Sequence, residues 1–391
     1  FDSNGAHDIL TISGKAELAG TLSLQPLADW YQNSWAVDTA SLVEANSYSG
    51  KFDTLQIHAV SPTLSFNADA LGNERYRLSA HRADYAYSQY GQNDNQQQAG
   101  QALFKLALAG PASAQPLAQV SPASYSAAMA ASLTHEREIM QTARQGFSQS
   151  MARPGKDWQG YALISGSSAD QSTRGSLLGY DANSYGLILG AGRRLESAPD
   201  LAVGAQLDIS DLSVKPDAPY GGKSKATAFG LAAHLQYRPA ARHGLFAFSG
   251  LRLGLEHADM RRHISLGNYQ ASHSSDWTGR QLSLDAGTGY LWPISPSLSV
   301  GPVVSMNYAW ASRPSVDESG NAATRLQLES KRVDALRSSL GLSALWNQDL
   351  DDGSKLAVNV GLGWNHGWLD RDLTQAAHFA IASSDTAFNT R

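Results

Sequence analysis

Three short stretches of this chain carry side chains of the kind that hydrolysis or metal binding requires. His135-Glu136 opens as a zinc-protease helix does, with a ligand and a general base, but position 139 is Ile where the second histidine would stand. A metal site is not expected there. Ser165-Gly-Ser-Ser168 has the small residues of a nucleophile turn, yet no Gly-x-Ser-x-Gly strand-to-helix elbow surrounds it, and it reads as a turn at a strand end. Asp351-Asp-Gly353 lacks the spaced acidic ligands of a calcium loop and matches a hairpin turn. Trp30, Tyr31 and Trp35 form an aromatic knot, read as the cap of a stacked-strand domain in preference to a carbohydrate site. No catalytic residue, cofactor or metal ligand is assigned.

Composition narrows the classes further. The chain has 391 residues, a length that suggests more than one domain. Only 17% of residues are charged, low for a soluble globular protein, and mean hydropathy is -0.30. No stretch approaches the roughly 18 apolar residues of a transmembrane helix. The absence of Cys excludes disulfides and thiolate chemistry, and a net charge of -5 argues against a nucleic-acid binder. The chain starts at Phe1 without a signal peptide and stops in a polar stretch at Arg391, so both ends read as cuts in a longer protein.

Any chemistry would have to be positioned by four kinds of segment. Residues 1–82 read as short strands, Ile9–Ile12 and then Ala16–Leu24, punctuated by Gly14 and Gly20. Such runs suit the rungs of a β-solenoid; a small sandwich is the competing reading, and periodicity leaves the two open. Residues 83–120 are small and polar around Gly91–Gln98 and read as a connection or a weak helix. A helix is expected over 121–150, with Ser121 as N-cap, Pro122 in the first turn, Tyr125, Met129 and Leu133 on one stripe, and Arg144 with Gly146 as its stop. About 24 helical residues span roughly 36 Å, enough to cross a membrane, but Arg137 and Glu138 forbid lipid contact. A thin, partly charged rod of that length needs a polar tube around it.

From Asp157 onward, within a barrel domain bounded at 155–391, the period becomes two. Leu298, Val300, Pro302, Val304, Met306, Tyr308 and Trp310 alternate with small or polar residues, and so do Leu356 to Trp364 and Leu282 to Trp292. Weaker alternation near 158–166, 185–194, 201–210, 227–238, 245–256 and 336–346 brings the count to about nine strands. They are longer than the usual 5–6 residues. Trp292, Trp310, Trp346, Trp364 and Trp368 sit at strand ends, where a membrane barrel keeps its aromatic girdle. The polar face is Gly, Ser, Asn, Asp and Arg, which suits a narrow lumen better than an open surface. Arg252, Glu256, Asp285, Arg337 and Asn359 are therefore expected inside, and Leu284, Val304, Leu342 and Val360 on lipid. His257, Met260, Arg261-Arg262 and His263 read as a loop or strand end beside charged headgroups. An open sheet edge is not viable in hydrocarbon and bacterial barrels usually close on an even number, so about nine strands would be an incomplete set. The fold class is all-β, an antiparallel up-and-down transmembrane barrel around a pore helix, following the end of a solenoid.

The order of these parts resembles the classical autotransporters of Gram-negative bacteria. Asp8–Leu24, Ser49–Asp53, Pro62–Phe66 and Arg75–Leu78 resemble a passenger end with its autochaperone-like segment. Leu117–Tyr125 looks like the stretch before the pore helix, and Gly179–Gly190 like the second barrel strand with its loop. The resemblance implies a twelve-stranded barrel in the outer membrane, about three strands of which would follow this sequence. It also implies export of the chain's own passenger to the surface and assembly by the barrel-insertion machinery with periplasmic chaperones. Expected partners are outer-membrane lipid and lipopolysaccharide, with no nucleic acid and a monomeric state. The helix has no adjacent Asn pair, the cleavage point of one protease subgroup. The alternative is that the intact protein is an exported subtilisin-like protease or an adhesin whose active part lies upstream.

Overall fold

A computed structural model describes the chain except residues 3, 28–30, 32, 59–62, 73–74, 106–116, 152–156, 240–242, 267–268, 321–323, 350–354, 369–372, 381–385 and 391. Trp30 and Asp351 to Gly353 thus lie outside the described residues.

The N-terminal strands are β1 (Leu10–Leu18), β2 (Thr21–Leu24), β3 (Ser34–Asp38), β4 (Val43–Gly50), β5 (Thr54–Ile57), β6 (Ser65–Gly72) and β7 (Arg75–His81). Residues 9–12 and 16–18, read separately above, belong to one strand with a register shift between Ile12 and Lys15. β1 pairs in parallel with β4, and β2 in parallel with β5. Leu10 faces Val43 and Thr21 faces Thr54, the same offset along the chain, so successive turns stack as solenoid rungs. Gly50 makes the tight corner: its φ is 74°, and a Cβ there would strike the Leu18 carbonyl. An antiparallel sheet, β3-β7-β6, ends the stack. Tyr31 packs edge-on against Trp35 and Phe66 beside it, at 5.2 and 5.1 Å between ring centres.

The connection holds more structure than its composition suggests. α1 (Asp94–Lys105) buries Ala99, Ala102 and Leu103 in the main apolar cluster, and α2 (Leu117–Val120) follows. α3 (Ala123–Ser150) is the long helix, about 42 Å from end to end. Its N-cap is Pro122, not Ser121; the Ser121 hydroxyl accepts from the Ala123 N–H instead. Gly146 does not stop it. The helix runs on because that glycine faces Leu163, whose methyl fills the place of a Cβ. Arg144 accordingly sits well before the last turn.

Nine long strands then form one antiparallel sheet: β8 (Gln159–Gln171), β9 (Tyr180–Leu195), β10 (Ala198–Pro216), β11 (Lys223–Tyr237), β12 (Gly244–Leu266), β13 (Tyr269–Pro293) and β14 (Leu298–Arg313), then β18 (Lys331–Asp349) and β19 (Lys355–Gly367). Short strands β15 (Val316–Asp317), β16 (Ser319–Gly320) and β17 (Leu326–Leu328) lie between β14 and β18, and β20 (Gln375–Phe379) and β21 (Phe388–Thr390) follow β19. The sheet curls around α3, neighbours always antiparallel, in the order β8 to β14, β18, β19. Among the described residues β8 and β19 each have one partner strand and do not pair with each other. Ser165 to Ser168 lie inside β8, not in a turn, because the whole stretch continues the ladder to β9.

Alternation sorts the two faces. Leu284, Val304, Leu342 and Val360 point outward and stay exposed, between 45% and 58%, while Ser283 and Asp285 are buried against the helix side. On β12 the apolar outer row runs from Leu245 to Leu255, close to the 9–11 residues of a tilted transmembrane strand. The β12–β13 hairpin does not stop there. It continues past the belt to Leu266 and Tyr269, making strands of 23 and 25 residues. The basic cluster is therefore split by strand geometry: Met260 and Arg262 turn inward and are buried, whereas His257, Arg261 and His263 face out. At this end of the sheet lie the longer connections and a separate small sheet, β15-β17-β20-β21. At the other end β9 and β10 are joined by two residues only, Glu196 and Ser197.

Candidate functional site: the helix and its wall

The first half of α3, from Ala123 to Glu136, is built of Ala and Ser with a few larger side chains, and all of it except Thr134 is buried. Tyr125, Met129 and Leu133 belong to the main apolar cluster. Small side chains let the wall approach the helix backbone closely. Below Glu136 the exposure changes, and Gln141, Gln145 and Gln149 are open.

The wall meets the helix through charge at one level. Arg252 on β12 has no exposed surface. It donates to Asp208 on β10 at 3.0 and 2.6 Å, as a fork, and to Glu136 on the helix. One turn away Ser132 donates to Glu256 at 2.7 Å, and Gln281 donates to both at 2.8 Å. His135 shares a hydrogen bond with Ser210 at 2.8 Å. A buried guanidinium between two carboxylates is favourable only with its donors satisfied in good geometry, which this fork provides. Arg137 and Glu138, the charges that barred this helix from lipid, do not pair with Arg252 or Glu256. The ion pair is made by Glu136, because the helix turns that residue toward β10 and β12. Glu138 instead accepts from Ser167 on β8 at 2.6 Å. Arg137 faces a cavity.

Toward the two-residue turn the fit becomes glycine-shaped. Gly192 and Gly204 stand opposite each other on β9 and β10, and the Phe147 ring lies where their Cβ atoms would be. His234 stacks on the same ring at 5.4 Å. Arg144 pairs with Asp285 at 3.1 Å and lies 4.0 Å over the Phe248 ring. On the remaining side the helix leaves a cavity of about 940 Å³, lined by Arg137, Arg144, Arg194, Arg238 and Arg337, with Asp285 and a set of amides including Asn359. Arg252 and Glu256 thus lie on the packed side of the helix and Arg337 and Asn359 on the open side; Asp285 touches both.

The aromatic positions are on the outer face. Trp292, Trp364 and Trp368 are exposed; Trp310 and Trp346 are half-buried between outward neighbours. His366 stacks on Trp364 and meets Trp368, just past the end of β19, edge-on, and the Trp368 indole donates to Ser338 at 2.8 Å. Among the described residues no group of three or more His, Cys, Asp or Glu is placed to hold a metal ion. No helix among the described residues is long and apolar enough to cross a membrane, which says nothing of crossing by strands.

A family model described as the autotransporter beta-domain matches residues 161–391. The fold is similar to the translocator domain of autotransporter NalP from Neisseria meningitidis, at 15% identity and a TM-score of 0.48, over 63% of this chain and 86% of that one. It is also similar to the beta domain of the Bordetella autotransporter Brka, at 15% identity and a TM-score of 0.42, over 56% and 86%. A search of curated protein sequences finds no match.

Proposed function

Because this chain belongs to the autotransporter family through its β-domain, a translocator of the Gram-negative outer membrane that exports its own passenger, we propose that α3 is the tail of that passenger held in the pore, and that residues 1–120 stand at the cell surface. The observation that carries this reading is the direction of threading. The N-terminus of α3 emerges among the long connections and the small sheet, and its C-terminus leads into β8 beside the short turns. In outer-membrane barrels the long loops are extracellular and the short turns periplasmic. A chain that enters the wall from the periplasmic side and leaves through the lumen carries everything before Ala123 outward.

The translocator's role is transport and anchoring, not catalysis. The stacked rungs of residues 1–82 support a passenger that continues as a solenoid on the outside. By the family resemblance the barrel is inserted by the outer-membrane assembly machinery after escort by periplasmic chaperones. It sits as a monomer in phospholipid and lipopolysaccharide, and no nucleic acid is involved.

Protease treatment of intact cells tests the orientation. Residues 1–82 should be digested while the barrel strands and α3 survive. Protection of residues 1–82 until the outer membrane is opened would overturn the reading.

A further inference from the structure

Resting on that orientation, we infer that the surface mouth of the pore is closed by a latch, in which Arg262 on β12 and Glu318 beside β16 lock the loop sheet down over Tyr125 at the start of α3. The helix does not close the lumen along its whole length, since its lower half borders the arginine-lined cavity. Closure therefore falls on the outer half and on what lies across it. The loop sheet β15-β17-β20-β21 is separate from the barrel's own ladder, whose only strand pairing to this loop among the described residues is the short β13–β16 pairing. Side chains must do the rest of the holding.

Arg262 and Glu318 are fully buried and joined as a fork, at 2.7 and 2.8 Å. Arg262 also donates to the Gln119 carbonyl at 2.6 Å, at the end of α2. Glu318 in turn accepts from the Tyr125 hydroxyl at 2.8 Å and from the Leu326 N–H at 2.9 Å. Tyr125 completes the set through Ser275 on β13 at 2.6 Å. One ion pair thus ties a barrel strand, the loop sheet, α2 and α3 together. It lies beyond the apolar belt, seven positions past Leu255 on β12. Burial would raise the Glu318 carboxyl, but Arg262 outweighs it and holds the group below its ordinary value, so the pair stays ionised. Buried forks of this kind are strong when complete, and the loss of one partner strands the other. That combination suits a contact formed once, after the last of the passenger has passed.

Glu318→Gln keeps the shape and removes the charge. In the full-length protein reconstituted in planar bilayers, its open fraction should rise at least about tenfold, the effect expected of losing one charge-assisted bond. Tyr125→Phe keeps every ring contact and should give a smaller rise, about threefold or more. Passenger display on intact cells and the heat-modifiable band should match the parent for both. Display reports on the export reading and conductance on the latch, so the two can fail separately. If either variant with a native band is as closed as the parent, the latch is wrong. Should Glu318→Gln fail to assemble, Tyr125→Phe alone decides, and a closed Tyr125→Phe pore overturns the inference.

Discussion

Replacing Arg252 by Met in the full-length protein would remove the cation bonded to both Glu136 and Asp208, with Glu256 one turn away on the same side of the helix. All four side chains are buried. Breaking a buried ion pair by deleting one partner costs about 3–5 kcal/mol, because the remaining charge has neither water nor partner. At about 2–4 °C per kcal/mol for a domain of this size, the temperature at which the folded gel band converts to the unfolded one should fall by about 6–20 °C. The control is a triple variant, Arg252→Met with Glu136→Gln and Asp208→Asn. It leaves amides that can bond to one another and should recover most of the loss. With Glu136 and Asp208 neutralised, deleting the cation strands neither of them as a buried charge. If Arg252→Met melts within about 2 °C of the parent, the cluster does not hold the helix in its wall, and helix anchoring must come from packing alone.

Four further outcomes are expected. The 391-residue chain refolded by itself in detergent should give no compact heat-modifiable band, since among the described residues β8 and β19 each pair with one strand only and an unpaired backbone group costs several kcal/mol in an apolar phase; such a band would refute the open sheet. Single cysteines at Val304 and Val360, clean probes in a chain without native Cys, should be quenched by lipid-soluble reagents, while Asn359→Cys should react with water-soluble ones; reversed labelling would mean a one-residue error in register. Gly146→Leu should lower stability by about 1–3 kcal/mol through its collision with Leu163, read as a lower conversion temperature, and Leu163→Ala should relieve part of it. Burial, aided by Arg262, holds the β13 residue His273, which packs against Ser319 and Thr324 of the loop, below its ordinary value of 6.5, so its ring binds a proton more readily once the loop is released. Pore leak should therefore grow as pH falls below about 6.5, while the Glu318 contribution remains until pH drops below its ordinary 4.5; leak that is flat between pH 7 and 5 would contradict this.

The long strands were legible because lipid on one side and a crowded lumen on the other impose opposite chemistry on alternate residues. That signal weakens where both faces meet polar surroundings. It is why the β12–β13 overhang, with His257, Asp259 and Arg261 outside and Met260 and Arg262 inside, reads as a cluster in the sequence and as a ladder in the fold. The loop sheet gives no periodicity at all, since its strands have two to five residues. Glu136 was within reach. The stripe Tyr125, Met129, Leu133 continues at helical spacing through Glu136, Met140, Ala143 and Phe147, all buried. A carboxylate on a buried stripe demands a cation, and Arg252 on an inward strand position was the available one. The end of α3 was misjudged because a glycine near a helix end usually marks its stop. Only the neighbouring strand reveals that this one makes room for Leu163.

The glycines of the wall have a consequence for swapping parts between proteins. Gly192 and Gly204 are a mould taken from one phenylalanine in one rotation of one helix, and Gly230 leaves the space that the Arg252 side chain occupies. A foreign cargo can be joined to this barrel anywhere before the seam, but the seam lies upstream of Ala123, not at the first strand. Helix and barrel form a matched key and lock, and a chimera that exchanges one without the other would mate a key with a lock cut for another.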